Sequence, residues 1–430
     1  MIVTNIIAEE EDPLKADLII TNIKELISLS GSIKPRCGTQ MEDLQSIPDA
    51  GVAIKDGLIL ETGSSSEIEA KYLWEEQIDA KGKLLLPGFV DCHTHPVFVH
   101  TREDEFALRL QGKSYVEIAA AGGGIRSTIA TTRDASEDML FELAAKRIGK
   151  MICMGTTTLE AKSGYGLDTR SELKQLRVIK RLNEELPIDI VPTFMGAHEF
   201  PAEYKNDHQR YLDILCEEMI PAVAEQGIAE FCDIFTEAHV FSIGESRRVL
   251  QCALDHGLKL KMHADEIEAI GGAELAAELG CVSADHLGAA SDAGIDALKK
   301  AGVIPVLLPA TLFSLRAKNY ARAKEMMEKG LPVAIASDYN PGSCNCDSLP
   351  FTITLACLQM GISPAAALTA STINAAHAIS RGAETGSIEI GKKADLILWD
   401  IPSVNYIPYH IGSSAINRVF KLGKTIYTTN

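Results

Sequence analysis

The sequence predicts an α/β protein, a (β/α)8 TIM barrel joined to a small β-sandwich domain that both chain ends build together. Two observations lead to this prediction. The middle of the 430-residue chain contains eight short apolar runs separated by segments of helical periodicity. The two ends are rich in short strand candidates and poor in helix. Parallel barrel strands are buried on both faces, so they are expected to be almost continuously apolar.

The two chain ends predict antiparallel sheet. Near the N-terminus, DLIITNI (17–23) and GVAIKDGLILETG (51–63) are strand candidates, with KDG and ETGSSS as turns. Near the C-terminus, GSIEIGKKADLILWDI (386–401) and AINRVFKLGKTIYTTN (415–430) have the same character. We therefore predict a composite β-sandwich domain from residues 1–83 and 384–430, and a barrel over residues 84–383.

The eight central runs predict the barrel strands, and amphipathic segments such as SELKQLRVIKRLNEEL (171–186) and GESRRVLQCALDHG (244–257) predict helices between them. The alternative is a doubly wound open sheet. It is disfavoured because no glycine-rich phosphate turn follows the first run. AAAGGGIRST (119–128) lacks the lysine of a phosphate loop and is either a mobile substrate loop or a plain connector. The predicted strands are 84–90, 156–161, 189–197, 229–238, 258–264, 281–286, 303–309 and 332–338.

Composition restricts the partner and the compartment. A net charge of −18 argues against nucleic acid or an anionic membrane as the main partner, because either would require a basic face. No apolar run reaches the length of a membrane span, and the N-terminus lacks the basic region of a secretory signal. The ten cysteines lack paired CxxC spacing and are expected to be reduced thiols. These features favour a cytoplasmic protein that acts on a small molecule.

Histidines and carboxylates follow the predicted strands, at the barrel end where active sites form. His93 and His95 alternate along one strand and should point the same way, as two neutral imidazoles that suit a divalent metal. With His263 and Asp338 they would make the open ligand set of a catalytic metal site. Asp338 could also accept a proton from water, and His286 could orient that water or stabilise an oxyanion. Singly, each residue could instead be a satisfied core histidine or a turn cap.

This arrangement resembles the amidohydrolase superfamily. The segments HTHPVFVHTREDEFALRLQGKSY, EAKSGYGLD, MGAHEFP, HADEI and SDYNPGS are, more specifically, similar to the imidazolonepropionase family, and the likeness covers nearly the whole chain. The resemblance implies one divalent or trivalent metal ion per chain, Zn²⁺ or Fe³⁺, and a homodimer. It also implies hydrolysis of the ring C–N bond of 4-imidazolone-5-propanoate to N-formimidoyl-L-glutamate, in L-histidine degradation. The implied metal ligands are His93, His95, His263 and Asp338.

The same resemblance implies roles for further residues. Arg102, with Tyr165 and His198, would receive the propionate carboxylate, and a guanidinium suits that task in so acidic a protein. Glu266 would bond the ring nitrogens and pass protons. Tyr115 would either line the pocket or be an aromatic residue of a helix face. The new carboxylate of the product would lie in the loop that contains Asn340, Gly342 and Ser343.

Some positions depart from the family pattern or leave alternatives open. His100 is an additional imidazole near the predicted mouth, Pro96 replaces a more usual aliphatic residue, and Cys344 and Cys346 follow the product loop. We expect Lys162 and Glu237 to support the site or pack beneath it, and so expect one metal ion. A purine or pyrimidine base deaminase would share the metal ligands, but a neutral base offers no carboxylate to Arg102 and Tyr165. A non-enzymatic assembly protein on this scaffold would typically have lost metal ligands, which are all present here.

Overall fold

The computed structural model describes residues 14–31, 33–113, 117 and 123–429. Within these residues, sixteen strands form two sheets of eight. The strands are β1 (Leu14–Ile27), β2 (Ser46–Lys55), β3 (Leu58–Ser64), β4 (Tyr72–Asp79), β5 (Leu84–Pro87), β6 (Phe89–Asp91), β7 (Thr156–Lys162), β8 (Asp189–Ala197), β9 (Phe231–Thr236), β10 (Lys259–Ala264), β11 (Ser283–His286), β12 (Ile304–Leu307), β13 (Ala334–Ile335), β14 (Leu396–Trp399), β15 (Ile416–Lys421) and β16 (Lys424–Thr428).

Helices connect the barrel strands and continue after the last of them. The α-helices are Ser65–Lys71, Glu103–Leu110, Ile125–Asp134, Glu137–Cys153, Thr169–Glu185, His208–Ile214, Ile220–Gln226, Ile243–Asp255, Gly272–Leu279, Asp292–Ala301, Pro309–Ser314, Ala323–Glu328, Leu349–Met360, Pro364–Ala370, Ile373–Ala378 and Tyr406–Tyr409. Short 3-10 turns occur at Gly38–Glu42 and Ala202–Tyr204, and a π-helical turn at Leu215–Met219. No helix in these ranges combines the length and the apolar character that a membrane span requires.

Both chain ends contribute to the first sheet, as predicted, in the order β16-β15-β14-β5-β1-β2-β3 with β4 also paired to β1. The sheet is mixed, and in this respect the expectation of antiparallel pairing was wrong. β1 pairs in parallel with β4 along its first half and with β5 near its end, because its 14 residues are long enough to bind two strands in succession. The remaining pairs are antiparallel.

The second sheet is the barrel. Strands β6 to β13 pair in parallel in chain order. Beyond the ends of β6 and β13 the backbone closes the ring, since the Asp338 amide donates to the His93 carbonyl at 3.1 Å and the His95 amide to the Tyr339 carbonyl at 2.8 Å. The structure thereby confirms the (β/α)8 barrel with a second domain from both termini.

The predicted helices form for identifiable local reasons. Asp168 caps the helix Thr169–Glu185 by accepting from the Ser171 amide at 2.8 Å, and the buried Leu176, Ile179 and Leu182 recur at the helical spacing. The helix Ile243–Asp255 begins with a capping box in which Ser242 and Glu245 each accept from the other's amide. Both helices lie within two residues of the segments that periodicity predicts.

The predicted first barrel strand, 84–90, is two strands that meet at Gly88. The Gly88 amide donates to the Asp395 carbonyl next to the terminal sheet, while the following Phe89 amide donates to the Gly155 carbonyl at the barrel. A Cβ on Gly88 would lie 2.1 Å from the Thr157 hydroxyl oxygen. Only glycine lets the backbone approach β7 this closely as it passes between the two sheets.

Replacing Gly88 with alanine should lower the free energy of unfolding by about 1–3 kcal/mol, because the new methyl group overlaps Thr157 in a packed interior. Urea denaturation measures the change. Gly149→Ala is the matched control, since a Cβ there meets open space within the helix Glu137–Cys153. It should raise stability by about 0.5–1 kcal/mol. Equal effects of the two substitutions would contradict the packing argument.

Candidate metal centre and substrate cavity

The four predicted metal ligands meet at the barrel mouth. His93 Nε2 lies 3.3 Å from His95 Nε2, and Asp338 Oδ1 lies 3.6 and 3.7 Å from these two nitrogens. Ligands about 2.1 Å from a tetrahedral ion are about 3.4 Å apart, so the spacing suits one shared ion. His93, His95 and His263 form one group in which all donor atoms lie within 4.8 Å of one another, and His93, His286 and Asp338 form a second such group.

Strand ends and unusual backbone conformations bring these side chains together. His93 and His95 follow β6, His263 is the fifth residue of β10, and Asp338 follows β13. Asp338 has φ of +52° and His286 has φ of +75°, in the left-handed region that non-glycine residues rarely adopt. Such conformations persist where the surroundings enforce them, and they are concentrated at functional sites.

Carboxylates lie against two of these imidazoles. His93 Nδ1 is hydrogen-bonded to Asp285 Oδ2 at 2.6 Å, whereas His263 Nδ1 lies 3.1 Å from Asp233 Oδ2 without a hydrogen bond in the described part of the chain. A proton held on His93 Nδ1 by the carboxylate leaves its Nε2 with a free lone pair toward the site. Burial also lowers the pKa of His93 and His95 well below the usual histidine value, which favours the neutral form that binds metals. The donor set therefore fits a metal ion.

Two fully buried lysines lie beneath the ligands. Lys162 Nζ contacts Glu160 at 2.8 Å and Asp233 at 2.7 Å, and Lys261 Nζ contacts Glu160 at 3.0 Å. Burial disfavours the charged ammonium, but the surrounding carboxylates more than compensate and raise the pKa of Lys162. Lys162 thus supports the site through Asp233, in the supporting position expected from the sequence.

Above the ligands, a cavity of about 510 Å³ receives most of the predicted substrate contacts. Tyr115 lies outside the described residues. His100 is exposed, while Cys344 and Cys346 line an adjacent cavity of about 450 Å³. The predicted residues on the wall of the larger cavity are His95, Arg102, Tyr165, His198, His263, Glu266, His286, Asp338, Asn340, Gly342 and Ser343.

Arg102 is the cation most suited to an anionic ligand in this cavity. Its Nε and Nη1 are buried and make no hydrogen bond within the described part of the chain. Glu105 is its nearest acidic neighbour, at 3.9 Å. The guanidinium packs directly against Gly342, where a Cβ would collide with it. A buried guanidinium with unused donors is a site prepared for a carboxylate.

Glu266 and His286 are neighbours in the cavity wall, with Glu266 Oε2 3.5 Å from His286 Nδ1. Burial, with the nearby charges of Asp338 and Glu237, raises the pKa of Glu266 to about 8. Burial likewise raises the pKa of Asp338 to about 6, although Thr311 Oγ1 donates to its Oδ2 at 2.6 Å. A bound cation opposes the shift at Asp338. Glu266 can therefore carry a proton near neutral pH while Asp338 accepts one.

Sequence reasoning missed several residues of the site. Arg109 lines the same cavity, and its Nη2 donates to the Gly342 carbonyl at 3.2 Å. Its spacing of seven residues from Arg102, the N-cap of the helix that carries Arg109, was the available signal. Asp233, Asp285 and Thr311 were also unassigned, although Asp285 directly precedes His286 in the chain.

Comparisons with known proteins agree with this geometry. The model of the amidohydrolase family matches residues 84–428. The chain is 47% identical over 415 residues to the imidazolonepropionase of Alkaliphilus metalliredigens, covering 96% of this chain and 98% of that one. It is 49% identical over 414 residues to the imidazolonepropionase of Symbiobacterium thermophilum, covering 95% and 97%. Among solved structures, an adenosine deaminase from Xanthomonas campestris with bound zinc has a TM-score of 0.69 at 18% identity, covering 96% and 93%.

Proposed function

The chain belongs to the amidohydrolase family, and we propose that it is the hydrolase that opens the ring of 4-imidazolone-5-propanoate to N-formimidoyl-L-glutamate. The observation that carries this proposal is that Arg102 Nε and Nη1, in the same cavity as the proposed metal ligands, have no hydrogen-bond partner among the described residues. The curated relatives of nearly equal length support the same reaction. A base deaminase is not favoured, because a neutral base would leave that guanidinium without a partner.

His93, His95, His263 and Asp338 would hold one metal ion, Zn²⁺ or Fe³⁺. When bound, such an ion acts as a Lewis acid toward the ring carbonyl and makes water a stronger nucleophile. Asp338 would accept the proton of the attacking water, and Thr311 Oγ1 donates to its second oxygen. His286 would donate a hydrogen bond to the oxyanion that develops on the carbonyl oxygen.

Glu266 would complete the reaction by delivering its proton to the departing ring nitrogen, which allows the C–N bond to break. Arg102 would bind the propionate, with Tyr165 and His198 beside it. Burial lowers the pKa of His198 to about 3, so it is neutral there and contributes hydrogen bonding without charge.

Asn340, Gly342 and Ser343 would hold the new carboxylate of the product. Asn340 Oδ1 accepts from the Gly342 and Ser343 amides at 2.8 Å each, so the loop has a defined shape before product forms. Tyr115, the homodimer, the cytoplasmic location and the absence of nucleic-acid or membrane partners remain predictions from the sequence.

The purified protein should consume 4-imidazolone-5-propanoate, followed by the loss of its ultraviolet absorbance, and should release N-formimidoyl-L-glutamate. Uracil, cytosine and guanine are the control substrates, and none should be turned over. Deamination of a base with no turnover of the imidazolone would exclude the proposed function.

Removing the metal should abolish turnover while leaving the fold intact. A chelator followed by gel filtration should leave less than about 1% of the activity, because water is then no longer activated. Elemental analysis should find one equivalent of zinc or iron per active chain, and adding that metal back should restore the rate. Two equivalents per chain, or full activity in the apoprotein, would contradict the single-ion site.

Replacing Arg102 with methionine should raise KM about 100-fold or more, because the substrate carboxylate loses its charged partner. An analogue with an ethyl group in place of the propionate should be hydrolysed equally by the variant and the wild type. Arg177→Met is the control, since Arg177 is half exposed and pairs with Glu137 outside the cavity. An unchanged KM in Arg102→Met would remove Arg102 from carboxylate binding.

A further inference from the structure

Two buried carboxylates lie just outside the cavity, and the charge of Glu237 near Glu266 is the one effect described for either of them so far. Building on the proposed function, we infer that Glu172 and Glu237 are positioning residues, Glu172 for Tyr165 and Glu237 for Glu266. Both side chains are fully buried. Each binds the backbone of the loop that carries one functional side chain, and neither lines the cavity.

Glu172 encloses the loop that carries Tyr165. It lies in the first turn of the helix Thr169–Glu185, with its carboxylate turned back toward the end of β7. Its Oε2 accepts from the Gly164 amide at 3.0 Å, and its Oε1 accepts from the Gly166 and Leu167 amides at 2.8 and 2.9 Å. These three amides flank Tyr165 on both sides. The loop has little freedom to shift, because a Cβ on Gly164 would lie 2.8 Å from the Met195 carbonyl oxygen.

Glu237 likewise binds the backbone amides of the segment that follows Glu266. It lies just past β9, and its Oε2 accepts from the Ile267 amide at 2.9 Å. Its Oε1 accepts from the Glu268 amide at 3.3 Å and from the Ala238 amide at 3.0 Å. Both carboxylate oxygens of Glu237 therefore have hydrogen-bond partners, so its buried position needs no second metal ion.

The preceding residue secures the other side of Glu266. Asp265 has φ of +48°, and its carboxylate accepts from the Ile270, Gly272 and Ala273 amides at 2.9 to 3.0 Å. The Glu266 carbonyl packs so closely on Gly288 that a Cβ there would lie 2.6 Å away. Glu266 thus projects from a backbone that carboxylates hold on both sides.

A carboxylate is the side chain that this arrangement requires. In Glu172 and in Glu237 both oxygens accept from backbone amides, so the groups that meet them are all donors. Glutamine has the same shape but offers one acceptor and one donor, and in either orientation its NH₂ group faces a backbone N–H, buried at Glu172 and partly buried at Glu237. That amide then lacks an acceptor, and its loop must move to find one. A displacement of about 1 Å can cost about 100-fold in rate.

The alternative is that these carboxylates serve only the stability of the fold. Positioning predicts a split in kinetic parameters that general destabilisation does not. Glu172→Gln should act mainly by raising KM, because Tyr165 would contact the propionate. Glu237→Gln should act mainly by lowering kcat, because Glu266 would deliver the proton. We expect each effect to be about tenfold or more.

Double-mutant cycles test the assignment, with Tyr165→Phe and Glu266→Gln as the partner substitutions. Glu237→Gln should cost less than about threefold in the Glu266→Gln background, because the group that it positions is already disabled. It should keep its full cost in the Tyr165→Phe background. Glu172→Gln should show the reverse pattern, with a small cost in the Tyr165→Phe background and its full cost in the Glu266→Gln background. The pairs Glu172 with Glu266 and Glu237 with Tyr165 are therefore the matched controls.

Additive effects in the matched pairs, or equal coupling in the crossed pairs, would overturn the inference. If a glutamine variant does not fold, Glu172→Asp and Glu237→Asp replace it, because aspartate keeps both acceptor oxygens and should give the same coupling with a smaller rate loss. The wild-type rate separates the two proposals. If the wild type does not turn over 4-imidazolone-5-propanoate, both the proposed function and the positioning roles are excluded. If the wild type is active but the cycles are additive, only the positioning roles are excluded.

Discussion

The site depends on a layer of buried opposite charges inside the barrel. Lys162 and Lys261 lie among Glu160, Asp233 and Asp285, and all five side chains are fully buried. Without the lysines the three carboxylates would repel one another in a medium of low dielectric constant, and removing one partner of such a network is strongly destabilising. Two of these carboxylates, Asp285 and Asp233, also lie 2.6 and 3.1 Å from the Nδ1 atoms of His93 and His263. The two lysines therefore offset two of the three negative charges in the barrel interior, and two of the carboxylates border the proposed metal donors.

Much of the fold and of the metal centre could be predicted because both depend on regular patterns. Parallel strands buried on two faces are apolar runs, and their ends lie at one rim, so residues as distant as His93 and Asp338 could be grouped before any coordinates. The missed features depend on contacts without periodicity. Nothing in the run 84–90 reveals that Gly88 passes between two sheets, and Asp285 lies 192 residues from the His93 ring that it holds.

Acidic residues at the surface and acidic residues in the interior affect the binding of an anionic substrate differently. Taken as a whole, a net charge of −18 disfavours an anionic substrate. In the interior, however, carboxylates such as Glu172, Glu237 and Asp265 accept hydrogen bonds from backbone amides. The guanidinium of Arg102 has two donors, Nε and Nη1, that bind no acceptor in the part of the chain that the structure describes. Local desolvated charge outweighs the distant surface charge, which water and salt screen over about 8–10 Å.

The proposed metal ligands and the proposed substrate contacts are held by different backbone contacts, and this difference has a consequence for specificity. The proposed ligands lie within β10 or on backbone that is hydrogen-bonded where the barrel closes beyond β6 and β13. Tyr165 and Glu266 lie on loops whose backbone amides bind buried carboxylates, one at Tyr165 and two at Glu266. A change in one loop and its carboxylate can thus alter what the cavity binds without disturbing the proposed ion site. Because the proposed ligands depend on backbone pairing within the barrel itself, the proposed metal centre is the constrained part of this architecture and the proposed substrate contacts are the adjustable part.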